Sequence, residues 1–263
     1  MSTRAAQYPA QVLRREQLSE HFVRLVLGGP GLAGFVSTGV PDEWVALTIP
    51  GQFQTRYYTV RSWDGAELVL DVVVHDHGLV TEWASGEVTR QTVTVSDPRG
   101  SFAMPAGAGW LLLVGDLTAL PAVARIIESR PGVPIRAWCE TPGAALPAYV
   151  AGDAEITWTS PPPGSQSATA DLVRAIDWPA GDGYFWMAGE SAQMRAIRKH
   201  LMREVKLPSS AYDVMGYWRG APASGRRTRP VDPGPIWRAG KAAGQSDEQI
   251  WAAYDAAREV GDG

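Results

Sequence analysis

The sequence predicts two consecutive domains: an N-terminal antiparallel β-barrel, then a Rossmann-like α/β domain on a parallel sheet. Two patterns and one break carry this. Up to residue 104 the chain reads as many short strand-like runs separated by turn residues, which suggests a barrel. Beyond residue 109 strand-like and helical runs alternate, which argues for a parallel sheet with helices on its faces. The break is the loop Pro105-Ala-Gly-Ala-Gly109. The predicted domains are therefore 1–106 and 107–220, with 221–263 as a C-terminal extension.

The six barrel strands fall at 8–15, 21–27, 43–49, 56–61, 67–75 and 91–96. In the second domain the order is a strand at 111–114, a helix at 118–129, strands at 135–139 and 155–159, a helix at 169–176, a strand at 184–187, a helix at 191–205 and a strand at 212–216. Ser160-Pro-Pro-Pro-Gly-Ser165 is a connecting loop. In the extension, 221–235 is rich in Gly, Pro and Arg and reads as extended. The stretch 246–259 predicts an amphipathic helix capped by Ser246, with acids in its first turn. Ile250, Trp251 and Tyr254 form its apolar stripe, which docks on the chain or makes a dimer contact.

At 263 residues and 45% hydrophobic composition, the chain is long enough for two modest cores. No run of ~20 apolar residues predicts a membrane span, and the first residues lack the apolar segment of a secretory leader. The net charge of −4 argues against a general nucleic-acid binder. A single cysteine, Cys139, leaves no intramolecular disulfide and fits a reducing cytoplasm. It also leaves no Cys₄ iron–sulfur cluster within the chain. Eleven tryptophans are many for this length; most read as core, with Trp83 and Trp218 as candidates to touch a ligand.

Four blocks carry chemistry. The first is Arg56-Tyr57-Tyr58-Thr59-Val60-Arg61. Side chains two apart share a strand face, so Arg56 and Tyr58 point one way and Thr59 the other. Arg56 offers a rigid fork of donors to a phosphate, and Tyr58 a flat ring. The plainer reading is an amphipathic strand with a salt-bridging arginine. The second block, Gly78-Leu79-Val80-Thr81, opens a turn into a short helix, where backbone N–H groups and a hydroxyl meet a pyrophosphate. A solvent turn capped by Thr81 is the alternative. The third, Gly115-Asp116-Leu117-Thr118-Ala119-Leu120-Pro121-Ala122, is a strand–turn–helix unit of a nucleotide-binding domain, although it is not Gly-x-Gly-x-x-Gly. The fourth joins Trp186-Met187-Ala188-Gly189-Glu190-Ser191 to Gly216-Tyr217-Trp218-Arg219. Glu140 ends the second strand of this domain, where an acid bonds a ribose 2′-OH and repels a 2′-phosphate. That leans to NADH, with Arg136 nearby as a counterweight. His75-x-His77 lacks a third ligand cluster, so no metal is expected.

The ordered set resembles the siderophore-interacting proteins, the FAD-dependent ferric-siderophore reductases of bacteria, built like ferredoxin reductases. The resemblance covers residues 5 to 220. The family usually has Gly-Pro-Ala-Ser at 78–81 and a further basic residue where Gly220 stands, and its shorter members lack so long an extension. The resemblance implies FAD, with NADH or NADPH as its reductant. It implies that Thr59 and Tyr58 sit at the reacting ring, and that Arg56, Tyr57, Val74, His75, Gly78, Thr81 and Trp83 join them in binding the flavin. Gly115, Thr118, Ala188, Gly189 and Glu190 would line the nicotinamide site, and Asp116, Ala119, Glu140, Tyr217 and Trp218 are further cofactor-binding candidates. Arg219, Arg238 and Lys241 are either cations facing an anionic ferric chelate or plain surface charges.

The implied activity is hydride transfer from NAD(P)H to FAD, then single-electron reduction of a ferric siderophore in the cytoplasm. The implied partner is the iron chelate, with no nucleic acid and no stable membrane insertion, and with room for a redox partner protein. A general NAD(P)H:flavin or electron-transfer reductase would share every block. A non-catalytic siderophore- or flavin-binding protein would keep the site and lack the reaction.

Overall fold

The structure, a computed structural model, describes residues 6–52, 55–74, 79–129, 132–162, 167–220, 236, 239–240 and 242–245. The chain divides into two compact units, Met1–Gly220 and Ala221–Gly263. The larger unit holds both sheets.

Six antiparallel strands close the barrel: β1 (Gln7–Ser19), β2 (Phe22–Gly28), β3 (Trp44–Thr48), β4 (Arg56–Trp63), β5 (Leu68–Val73) and β6 (Thr92–Ser96). They are arranged in the order β1-β2-β5-β4-β3-β6. The alternation visible in the sequence is the reason. Val45 and Leu47 of β3, Leu68 and Leu70 of β5, and Val93 and Val95 of β6 each send every second side chain into one core, as the pleat requires. A short helix, α1 (Leu79–Ser85), lies between β5 and β6.

The second sheet is parallel, with order β11-β10-β7-β8-β9. Its strands are β7 (Leu111–Asp116), β8 (Ile135–Glu140), β9 (Glu155–Thr159), β10 (Tyr184–Glu190) and β11 (Tyr212–Trp218). The central strands β7 and β10 are buried at every position, because helices cover both faces. Leu111 and Leu113 pack with Val123, Ile126 and Ile127 of α2 (Leu120–Ser129). Leu112 and Val114 pack with Val173 of α3 (Thr169–Arg174) and Met194 and Ile197 of α4 (Ser191–His200).

Phe22 and Phe102 join the α2 side of this core, so that face meets the barrel. Polar groups fasten the junction. Arg61 of β4 makes a two-pronged pair with Glu128 of α2, at 2.9 and 2.6 Å. Arg24 does the same with buried Asp71 at 2.8 Å, and the Tyr149 hydroxyl of the second domain donates to that carboxylate as well.

The two-domain order and the parallel sheet match the sequence prediction, with local differences. The helix expected from 118 starts at Leu120, because Thr118 is held in the turn by Asp116. The helix expected over 191–205 is α-helical to His200 and continues as a π-turn over Leu201–Val205, ending at Lys206 in the left-handed region (φ 63°). The helix expected at 246–259 lies outside the described residues. Among those residues no helix is long and apolar enough to cross a membrane.

Candidate functional site

Strand β4 has two faces with different duties. In the β3–β4 register Arg56 is opposite Leu47 and Tyr58 opposite Val45. Both partners are core residues, and directly opposed residues share a face. Tyr58 accordingly packs against the barrel core, and burial pushes its phenol well above the ordinary value. Arg56, at the strand's start, is exposed, and one of its guanidinium nitrogens donates to the Thr55 carbonyl at 3.0 Å.

Tyr57 and Thr59 face outward. They line an open cleft of about 350 Å³ at the junction, with Trp44 on the barrel side and Arg198, Val214, Met215, Gly216 and Tyr217 on the other. Tyr57 is 69% exposed, whereas Thr59 is 4% exposed. The Thr59 and Tyr217 hydroxyls are both buried without a hydrogen-bond partner. Gly216 is glycine because Ser191 approaches it: an added Cβ would lie 2.4 Å from the Ser191 hydroxyl oxygen, which donates to the Trp218 carbonyl at 2.7 Å. Arg198 donates to the Val214 carbonyl. Sequence reasoning missed Arg198. It reads as one of several basic residues on a helix, and only the β11 crossover brings it to the cleft.

The described residues around the 78–81 turn are built inward. Thr81 is 7% exposed, and its hydroxyl donates to the Val73 carbonyl at 3.3 Å. Trp83 packs on the barrel core and donates to Gln91 Oε1 at 2.7 Å. Val74 is half-buried against the same core, and its N–H donates to the His21 carbonyl. His75 and Gly78 lie outside the described residues.

The carboxyl ends of the parallel strands form the second part. The chain runs outward from β7 through β8 to β9, then returns to β10 and β11. The switch point therefore lies between β7 and β10, where ligands of open α/β sheets bind. Asp116 and Thr118 stand on one side, Gly189 and Glu190 on the other. Asp116 Oδ1 accepts from the Thr118 N–H and hydroxyl at 2.9 and 2.5 Å, and Oδ2 accepts from Trp218 Nε1 at 2.5 Å. Burial raises the Asp116 carboxyl, and the three donors pull it back down. An added Cβ on Gly189 would lie 2.7 Å from Asp116 Oδ2, so this strand end closes only over a glycine. Gly115 is tight as well, with Ala119 Cβ at 2.8 Å from an added Cβ. Ala119 and Ala188 are fully buried beneath the turn.

Glu190 and Glu140 are buried at the same rim. Glu140 Oε1 accepts the Ala168 N–H at 2.7 Å, and Glu190 Oε2 accepts from Gln193 Nε2 at 3.1 Å. The sequence reading of Glu140 at a strand end agrees with its place in β8, but its carboxylate already holds the segment leading into α3. Of the expected basic mouth, Arg219 is exposed just after β11. Arg238 and Lys241 lie outside the described residues.

A flat aromatic ring with a polar edge fits this donor set. The cleft has aromatic walls in Trp44, Tyr57 and Tyr217, and two buried hydroxyls that lack partners. The first-turn N–H groups of α4 receive no side-chain cap and stand at the switch point, where a dinucleotide's phosphates or amide belong.

Comparison with known proteins follows the same division. The model of the siderophore-interacting FAD-binding domain matches residues 51–102. The model of the siderophore-interacting protein family matches residues 108–221. The chain is 27% identical over 237 residues to the NADPH-dependent ferric-chelate reductase of Escherichia coli, covering 79% of this chain and 91% of that protein. A siderophore utilization protein from T. fusca is 28% identical, with a TM-score of 0.72 over 84% of this chain and 95% of that one. A ferredoxin reductase of carbazole 1,9a-dioxygenase, 13% identical, shares the fold with a TM-score of 0.66 over 82% of this chain and 70% of its own.

Proposed function

We propose, for a chain that belongs to the siderophore-interacting protein family, that it is an FAD-dependent oxidoreductase reducing ferric siderophores with NAD(P)H. The observation that carries this is the cleft, where Tyr57 and Thr59 of the FAD-binding barrel face Tyr217 and Arg198 of the nucleotide domain.

FAD bound there would accept electrons in pairs from a nicotinamide and release them singly to Fe(III), which nicotinamide does poorly. The chain's own residues would do the rest. Arg56, exposed at the head of β4, would hold a phosphate by charge-assisted hydrogen bonds. Thr59 would offer its unpaired hydroxyl to the polar edge of the ring. Tyr57 and Trp44 would wall the cleft and exclude water from one side. The switch point between Asp116 and Gly189 would seat the nicotinamide. Arg198 and Arg219, both exposed, would draw an anionic ferric chelate towards the open side.

NADPH is the reductant named for the Escherichia coli relative. An engaged Glu140 leaves less standing against a 2′-phosphate than a free acid would. The cytoplasm is the compartment we propose, since it supplies reduced nicotinamides and suits a chain with one thiol. The test is the absorbance of the purified protein. A bound-flavin spectrum, bleached by NADPH or NADH and restored by a ferric chelate, is expected. A flavin that NAD(P)H does not reduce would leave a binding protein rather than a reductase.

A further inference from the structure

Asp116 is out of character for its place. A turn that takes a dinucleotide's phosphates offers N–H groups and cations, and Asp116 is a like charge. It is nonetheless buried at the switch point. Its oxygens accept from the Thr118 N–H, the Thr118 hydroxyl and Trp218 Nε1, and all three donors are neutral. Among the described residues it donates to nothing and pairs with no arginine, lysine or histidine. An acceptor-only carboxyl is the ionised form. The flanking strands end in the same way. Glu140 of β8 is opposite Asp116 in the register, and Glu190 closes β10. Both are buried, and the Ala168 N–H and Gln193 amide that donate to them are neutral as well. Three neighbouring strands thus bring negative charge to one rim with no matching cation among the described residues. A buried charge that the fold leaves uncompensated is costly, and it favours whatever brings positive charge to it.

We propose that Asp116 is the counter-charge for the nicotinamide ring: its carboxylate, fixed by Thr118 and Trp218, stabilises the positive charge that the ring gains as it gives up hydride. This rests on the reading above that the switch point seats the nicotinamide. In that step the C4–H bond of the dihydronicotinamide breaks with both its electrons and the hydride adds to flavin N5. The nicotinamide ring, now oxidised, is left a cation, and the flavin is reduced. The adenine and the riboses stay neutral, and the phosphates stay negative throughout. Only the nicotinamide gains positive charge, which is the change that three buried acids favour. The same like charge keeps the pyrophosphate from this turn, so the carboxylate tells the two parts of the dinucleotide apart. A fixed charge placed where charge develops, in a site shielded from water, acts without reorganising. Glu140 and Glu190 add to its field from either side.

The test uses the full-length, FAD-loaded protein in its oxidised state. It is titrated with NADP⁺ and with the inert 1,4,5,6-tetrahydro analogue of NADPH, and then with the corresponding NAD pair. The two ligands of a pair carry the same phosphates and differ in the charge of the ring. Asp116→Asn should weaken the oxidised nucleotide about tenfold relative to the analogue, the order expected of a unit charge in a partly desolvated site. Flavin reduction at saturating NAD(P)H, followed by stopped flow, should slow about threefold or more, because part of the ring charge is present in the transition state. Asparagine turns an amide towards the Trp218 N–H. Asp116→Asn combined with Trp218→Phe removes that opposition and keeps the test decisive where the single variant does not fold. Trp218→Phe alone retains the charge and should retain the wild-type ratio of affinities. Equal weakening of both ligands in Asp116→Asn, no change in either, or an equal shift of the ratio in Trp218→Phe alone would overturn the counter-charge role and leave the nicotinamide reading in place. A wild-type protein that binds neither ligand of either pair would overturn that reading itself.

Discussion

At the Asp42–Glu43 corner of the junction, four buried carboxylate oxygens each accept two hydrogen bonds. Asp42 receives the Ser101 and Phe102 N–H groups, the Ser101 hydroxyl and Trp186 Nε1. Glu43 receives the Ser37 hydroxyl, the Thr38 N–H and hydroxyl, and Arg125 of α2. At the cleft on the same junction, the Thr59 and Tyr217 hydroxyls receive nothing. The first region ties the barrel to the sheet and saturates every buried acceptor, as a low-dielectric interior demands. The second leaves two buried hydroxyls unsaturated. The junction is therefore saturated at the corner where the two domains keep register and open at the cleft, which is where the proposed function places the flavin ring.

The corner should fail most severely. Asp42→Ala strands Trp186 Nε1 and two backbone N–H groups together, and each lost partner costs about 1–3 kcal/mol. A loss of about 3 kcal/mol or more is expected in urea unfolding. A loss below about 1 kcal/mol would show that the corner is not what holds the junction.

The head of β4, exposed at Arg56, should fail in binding rather than in folding. Arg56→Ala removes charge-assisted hydrogen bonds worth roughly 1.5–3 kcal/mol each. FAD affinity should fall about 10- to 100-fold with the melting temperature of the apo-protein almost unchanged. Full flavin occupancy in the purified variant would remove Arg56 from the site.

Asp213 lies where the two regions meet, paired in register with Trp186. Burial raises its carboxyl first of all, the Ser101 hydrogen bond lowers it, and nearby Asp42 raises it further. Oδ2 lacks a partner. A raised folded value means that the native state binds more protons than the unfolded one between the ordinary and the raised pKa. Its stabilising contribution is therefore complete at low pH and is lost as pH rises through the raised value. Asp213→Asn cannot ionise. Its stability curve should be flatter from about pH 4 upward, with a gain over wild type at neutral pH. Parallel pH curves for the two proteins would contradict this.

The smallest change is expected at Glu140. A free acid beside the ribose would make Glu140→Ala favour NADPH by roughly a kcal/mol. Because the carboxylate is buried on the Ala168 N–H, the NADPH-to-NADH ratio of kcat/KM should move less than the roughly tenfold which that energy implies. Steady-state kinetics with both nucleotides decide it, and a tenfold shift would restore Glu140 as the ribose reader.

Strand positions, the barrel-then-sheet order and the blocks at 56–61 and 115–122 were legible in the sequence, because each depends on local periodicity and turn chemistry. The pleat fixed in advance that Arg56 and Tyr58 share one face and Thr59 takes the other. Which face would meet the nucleotide domain was not fixed, since closure of the barrel decides it: Tyr58 turns to the core and Tyr57 to the cleft. Arg198 reached the cleft only because β11 pairs beside β10 at the sheet edge. The occupation of Glu140 by Ala168 joins residues 28 apart, and no local pattern announces such a bond. The same holds for the approach of Thr59 and Tyr217, which come from different domains. Periodicity writes burial into the chain residue by residue; the partners of a polar atom are set by loops and crossovers that bring distant segments together.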